Sequence, residues 1–243
     1  MTEIIEKLYE TFRPYRLGTT IDGCNHCVSA GMSGELMATP LRKLTAEQLS
    51  QFSLKAMTKW GTEQDFKHFL PRLLELAFLD PSELDWLETL FGKLTLANWQ
   101  EWPAAERRLM ADYLAELWRV TLARPREYEN DDSADSVLCA IGSTEVDLQP
   151  FLARWHDDRS QAALDHLCVF IQNNYEPMRK NPPRLCNAFW TFGSPAQLTV
   201  INWLQSDGVL DRIHQDQNLI ATELFDAIWQ LEAIVDDRQK TNR

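Results

Sequence analysis

KAMTKWGTEQDFKHFLPRLLEL, residues 55–76, reads as a helix, a stop and a second helix within one short stretch. Leu49, Phe52, Ser53, Ala56, Met57 and Trp60 recur at three-four spacing, which predicts one buried helical face running up to Trp60. Gly61 follows at once and suits the left-handed backbone that ends a helix. Thr62 and Asp65 offer a cap for the next helix, whose inward side is Phe66, Phe69 and Leu70. Pro71 lacks an N–H, and its ring meets the carbonyl of Lys67 in an unbroken helix. A kink or a fresh start is predicted there, with Leu73, Leu74, Ala77 and Phe78 continuing inward.

Upstream of this stretch, Thr45 and Gln48 form a capping box, and Leu44 and Leu49 occupy the positions of a hydrophobic staple. Residues 16–43 hold Gly18, Gly23, Gly31, Gly34 and Pro40 and are predicted to be loop. A first helix from Glu3 to Phe12 carries Ile4, Ile5, Leu8, Tyr9 and Phe12 and stops at Pro14. Downstream, Asp80-Pro81-Ser82-Glu83 opens a helix with Leu84, Leu87 and Phe91 facing in and Gly92 closing it. Trp102-Pro103 begins the longest clean pattern, a stripe of Met110, Tyr113, Leu114, Leu117, Trp118 and Thr121.

Residues 126–135 set five acids against one base with no apolar stripe, and mark the best boundary between two halves. The organisation is therefore an N-terminal helical part, 1–125, with a cysteine-containing loop at 16–43, and a C-terminal helical part, 136–243. The whole reads as one continuous helical domain. The second part has shorter stripes: Leu148, Phe151, Leu152 and Trp155; Leu164, Leu167, Cys168, Ile171 and Tyr175; Leu198, Ile201 and Leu204; and Ile220 through Val235. No segment alternates with period two. The fold class is all-α, an irregular bundle of about ten helices of ordinary length, with HEAT-like antiparallel helix pairs as an option for the second half.

Charge narrows the function classes. The 243-residue chain carries 36 acidic and 24 basic residues, a net of -12. Such a surface repels phosphates and anionic membranes and suits either a basic partner or plain solubility. The start has no basic flank and no long apolar run, and no stretch reaches the length of a membrane span, so the chain reads as cytoplasmic. Five cysteines, an odd number, fit reduced thiols better than a disulfide framework.

Cys24-Asn25-His26-Cys27 is the sharpest local feature. Two thiolates at this spacing can chelate one zinc ion from a tight turn, which Gly23 supplies. A structural zinc site needs four ligands, so others would come from His68, Cys139, Cys168, Cys186 or another histidine. The alternatives are plain structural cysteines or a redox pair, and the redox motif normally follows a strand, which is not predicted here. Asp65 and His68 stand one helical turn apart, as metal ligands or as a cap and an apolar cover. His156-Asp157 has the form of a phosphohydrolase dyad but also of an ordinary helix end. Gly31-Met32-Ser33-Gly34 is no nucleophile elbow, and phosphate-loop, dinucleotide and zincin motifs are missing from the sequence. Trp60, Trp118 and Trp155 lie on apolar stripes and read as core. Trp99 and Trp102 would anchor an interface if exposed and cap the bundle if buried.

The runs Pro40-Leu41-Arg42-Lys43-Leu44-Thr45, Met57-Thr58-Lys59-Trp60-Gly61 and Asp65 to Leu76 resemble a bacterial all-α family of unassigned activity. Its members carry a short Cys-rich loop upstream, matched here by Cys24 and Cys27. The resemblance covers about the first third of the chain and implies no catalytic residues. Proteins of this look accompany polymorphic secreted toxins, in which small acidic helical partners act as immunity proteins. The expectation is thus a non-enzymatic protein that sequesters a toxin domain. Glu127, Glu129, Asp131 and Asp132 would steer the partner and Trp99 and Trp102 would touch it. The alternatives are a metal-dependent enzyme using Cys24, Cys27 and His68, and a scaffold of helical repeats.

Overall fold

The computed structural model describes residues 3–24, 26–79, 87–126 and 133–241. These form an all-α fold. In chain order the helices are α1 (Glu3–Phe12), α2 (Ala30–Ala38), α3 (Ala46–Lys55), α4 (Glu63–Leu79), α5 (Leu87–Leu96), α6 (Ala104–Ala123), α7 (Ser133–Gly142), α8 (Gln149–Asp157), α9 (Gln161–Met178), α10 (Pro195–Leu204), α11 (Asp207–Asp216) and α12 (Asp226–Thr241). Among the described residues no helix is long and apolar enough to cross a membrane. The chain divides into two compact units, Met1–Leu117 and Trp118–Arg243. The division falls within α6, ahead of the acidic stretch that the sequence singles out, and residues 127–132 of that stretch lie outside the described part.

In the N-terminal unit α4 is the central element. Phe66, Phe69, Leu70, Leu73, Leu74 and Ala77 are fully buried on it, and α1 packs against it through Ile5, Leu8 and Phe12. Each of the buried Phe, Leu and Ile side chains contributes roughly 1.5–3 kcal/mol on burial. Phe52 of α3 meets Trp60 and Phe69 edge-on, with ring centroids 5.5 and 4.6 Å away. The Tyr113 hydroxyl of α6 donates to the Leu74 carbonyl at 2.8 Å. Both predicted caps form. Thr45 Oγ1 accepts from the Gln48 amide while Gln48 Oε1 accepts from the Thr45 amide. The Thr62 amide and hydroxyl both donate to Asp65 Oδ2 at 2.8 Å.

Four local expectations change. The α4 helix runs unbroken from Glu63 to Leu79 through Pro71, because burial on both sides of the proline outweighs the one missing hydrogen bond. The preceding helix ends at Lys55 rather than Trp60. The Lys55 carbonyl there accepts the amides of Thr58, Lys59 and Trp60, and Met57 takes a left-handed φ of 61°. Gly92 lies inside α5, which continues to Leu96. The loop predicted over 16–43 contains α2, started by Ser29, whose hydroxyl accepts the Met32 amide at 3.3 Å.

The core of the C-terminal unit is built around Trp155 of α8. Its ring lies edge-on to Trp118 at 5.2 Å and to Phe170 at 5.4 Å and stacks on Trp203 at 5.3 Å. Its indole N–H donates to the Ala163 carbonyl at 3.0 Å, and that of Trp118 donates to the Phe151 carbonyl at 2.9 Å. Arg212 of α11 is buried and donates to the Trp155 carbonyl and, at 2.7 Å, to the Asp158 carbonyl. These are groups that the end of α8 leaves without helical partners. A Cβ on Gly142, the last residue of α7, would stand 2.8 Å from Trp190 Cζ3.

Candidate functional site

The cysteine loop is laced to the chain that follows α3. The Asp22 carbonyl accepts the Gly61 amide at 2.6 Å, and the Cys24 amide donates to the Lys59 carbonyl at 2.8 Å. Gly23 and Trp60 thereby pair as an antiparallel bridge. Gly23 is suited to this place, since an added Cβ would come within 3.1 Å of Val28 and 3.4 Å of the Trp60 ring. Gly61 has φ of 71°, the left-handed conformation predicted for it.

Beyond the bridge the chain turns tightly. The amides of Cys27 and Val28 both reach the Cys24 carbonyl at 2.9 Å, and α2 begins shortly after. Lys55 Nζ donates to the Cys27 carbonyl at 3.0 Å, and the Trp60 indole donates to Ser33 Oγ at 3.0 Å. Cys24 and Cys27 are free thiols, half-buried, and Cys27 Sγ lies 3.9 Å from His26 Nδ1. The backbone N–H of His26, then that of Cys27 and the Cys27 thiol, hold the Cys24 thiol below its ordinary range. Cys24 in turn pushes the Cys27 thiol up.

A groove of about 650 Å³ opens in the same unit, bounded by residues of α1, α2 and α4. Arg13 and Arg16 stand exposed on its edge. Arg42 is held by both oxygens of Glu6, at 3.0 and 2.7 Å, and lies 3.7 Å over the Tyr9 ring. His68 Nδ1 is 3.0 Å from the Tyr15 carbonyl. A carbonyl only accepts, so Nδ1 carries the hydrogen and donates to it. Beside His68, the buried Lys67 ammonium lies 3.1 Å from both Glu106 and Glu63 and 4.2 Å over the Trp102 ring. Burial pushes Lys67 down, but its bonds to Glu106, Glu63 and Tyr15 outweigh this and hold it above its ordinary value.

The residues chosen from sequence do not come together as predicted. Among the described residues no group of three or more His, Cys, Asp or Glu side chains is arranged to hold a metal ion, so Cys24, Cys27 and His68 are not one ligand set. His68 is turned to the Tyr15 carbonyl in the groove, while the cysteines are laced to residues 59–61. Asp65 caps α4. His156 and Asp157 form the end of α8. Trp99 and Trp102 cannot anchor a partner: each is only 5% exposed. The Trp102 indole donates to the Ala97 carbonyl at 3.0 Å and its ring meets Phe12 edge-on, so these indoles close the helical unit from within. Glu127, Glu129, Asp131 and Asp132 lie outside the described residues.

Three exposed apolar side chains that the sequence reading missed lie in the C-terminal unit. Leu219, at the end of the 3-10 turn Gln217–Leu219, Phe225, just after the 3-10 turn Thr222–Leu224, and Trp229, in the first turn of α12, are 56, 45 and 47% exposed. Trp229 donates to Asp226 Oδ1 at 3.0 Å and lies edge-on to Tyr175 at 5.0 Å. Glu223, Asp226 and Glu232 are exposed nearby in sequence. The one-turn spacing of Phe225 and Trp229 among acids was the available signal. Compared with known proteins, the chain matches no family model, no curated protein and no solved structure.

Proposed function

We propose that this chain is a non-enzymatic protein-binding protein, and most concretely an immunity protein that captures a basic toxin domain. One observation carries the reading: the exposed apolar set Leu219, Phe225 and Trp229 is interleaved with Glu223, Asp226 and Glu232 in a chain of net charge -12. Aromatic side chains within a polar rim are the usual anchors of protein interfaces. Acidic neighbours select a cationic partner and speed its capture.

The test is co-expression with the product of the adjacent gene. The neighbour should be toxic alone, tolerated together with this chain, and retained on it through purification. Trp229→Ala and Asp226→Lys should each weaken retention, the latter more at low salt. A harmless neighbour, or one that is not retained, overturns the reading. A homodimer broken by Trp229→Ala would assign the face to a second copy and overturn it as well.

A further inference from the structure

We propose that Cys24 and Cys27 form a dithiol–disulfide site that exchanges with low-molecular-weight disulfides, an activity separate from partner capture. Sequence alone argues against this reading, because no strand is predicted ahead of the motif. The structure supplies a counterpart. The Gly23–Trp60 bridge holds the chain extended just before Cys24, the turn closes on the Cys24 carbonyl, and a helix follows. The Cys27 amide closes this turn on the Cys24 carbonyl at 2.9 Å, which sets the two cysteines at its opposite ends, and both are partly open to solvent. The nearby backbone N–H groups of His26 and Cys27 lower the Cys24 thiol from its ordinary range. Such donors favour a thiolate at that position.

The other cysteines lack this arrangement. Cys139 and Cys168 are buried, and Cys186 is exposed on a different part of the chain. The metal alternative lacks its third ligand among the described residues.

The exchange balances as follows. The Cys24 thiolate attacks one sulfur of an oxidised small disulfide, a bond forms to Cys24, and one small thiolate leaves. The Cys27 sulfur, giving up its proton, then attacks Cys24 Sγ, closes the Cys24–Cys27 bond and expels the second small thiolate. Two protein thiols are oxidised by two electrons, the small disulfide is reduced to two thiols, and the two protons end on these leaving groups.

Full-length reduced protein, incubated with oxidised glutathione, acid-quenched and alkylated with N-ethylmaleimide, gives the test by peptide mass mapping. The expected product is an internal Cys24–Cys27 disulfide without retained glutathione, reversed by dithiothreitol, while Cys186 takes up glutathione as a mixed disulfide. Cys27→Ser should trap glutathione on Cys24. The proposal is overturned if both cysteines remain alkylated once Cys186 has reacted, or if each keeps its own glutathione. Stoichiometric zinc that protects both thiols would also overturn it. The wild-type measurement stands even if the variant fails to fold.

Discussion

Lys67 and Glu106 meet at 3.1 Å in the N-terminal unit, with side chains only 5 and 8% exposed. Glu106 also accepts the Tyr15 hydroxyl at 2.5 Å, and Lys67 reaches Glu63 at 3.1 Å. A buried pair of this kind is costly to break from one side, because the remaining charge keeps its desolvation penalty. Lys67→Met is expected to lower stability by about 3–5 kcal/mol. The double variant Lys67→Met, Glu106→Leu should recover much of the loss. Urea unfolding of both checks this, and a single variant of wild-type stability would show that the pair carries no such penalty.

Alkaline conditions should loosen the fold in a defined order. Burial pushes the Cys168 thiol up from 9.0 to about 12. A group raised in the folded state contributes stability that is complete below its unfolded value and is lost as pH rises through the folded one. Cys168 should therefore cost about 1.4 kcal/mol per pH unit from about pH 9 upward. Tyr15 and Lys67, raised from 10.0 and 10.5, add to the loss at higher pH. Urea midpoints compared at about pH 8, 9 and 10 should fall for the wild type and fall less for Cys168→Ala. Parallel pH slopes would refute the assignment.

Gly142 and Trp190 form a close contact that leaves no room for a methyl group. Gly142→Ala should cost about 1–3 kcal/mol by overpacking. Coupling it with Trp190→Phe, which shortens the ring, should give a loss smaller than the sum of the two single changes. The thermal midpoints of the four proteins in this cycle check it, and strict additivity would show that the ring and the glycine do not compete for space.

Arg212 is the partner of the last carbonyls of α8. Arg212→Met keeps most of the buried volume but removes those donors. A loss of roughly 2–4 kcal/mol is expected, since buried carbonyls lose charge-assisted partners. Amide exchange should quicken in α8 more than in α10. Equal quickening in both helices would count against a local role.

Much of the helical layout was legible because its signals are local. Thr45 with Gln48, Thr62 with Asp65, and Gly61 carry their instructions within a few residues, and each takes the predicted conformation. The stripe from Met110 to Thr121 is buried as read. What stayed hidden depends on distant partners. Gly31 and Gly34 weaken α2 on propensity, yet the Ser29 cap and the burial of Leu36 sustain it. The bridge beside Cys24 pairs residues far apart in sequence, so no local pattern announces it. Trp102 and Trp229 are the same residue type near acidic neighbours. Phe12 and Lys67 cover the first, while the second remains exposed.

Gly61 gives its N–H to Asp22 and directly precedes the Thr62–Asp65 cap. One backbone stitch therefore ties the cysteine turn to the origin of α4. The two should open together: amide exchange at Cys24 and Gly61 reports one cooperative fluctuation, not two. A bulky residue at Gly23 would unpick that stitch and set the first turn of α4 fraying, although the sequence of α4 is untouched.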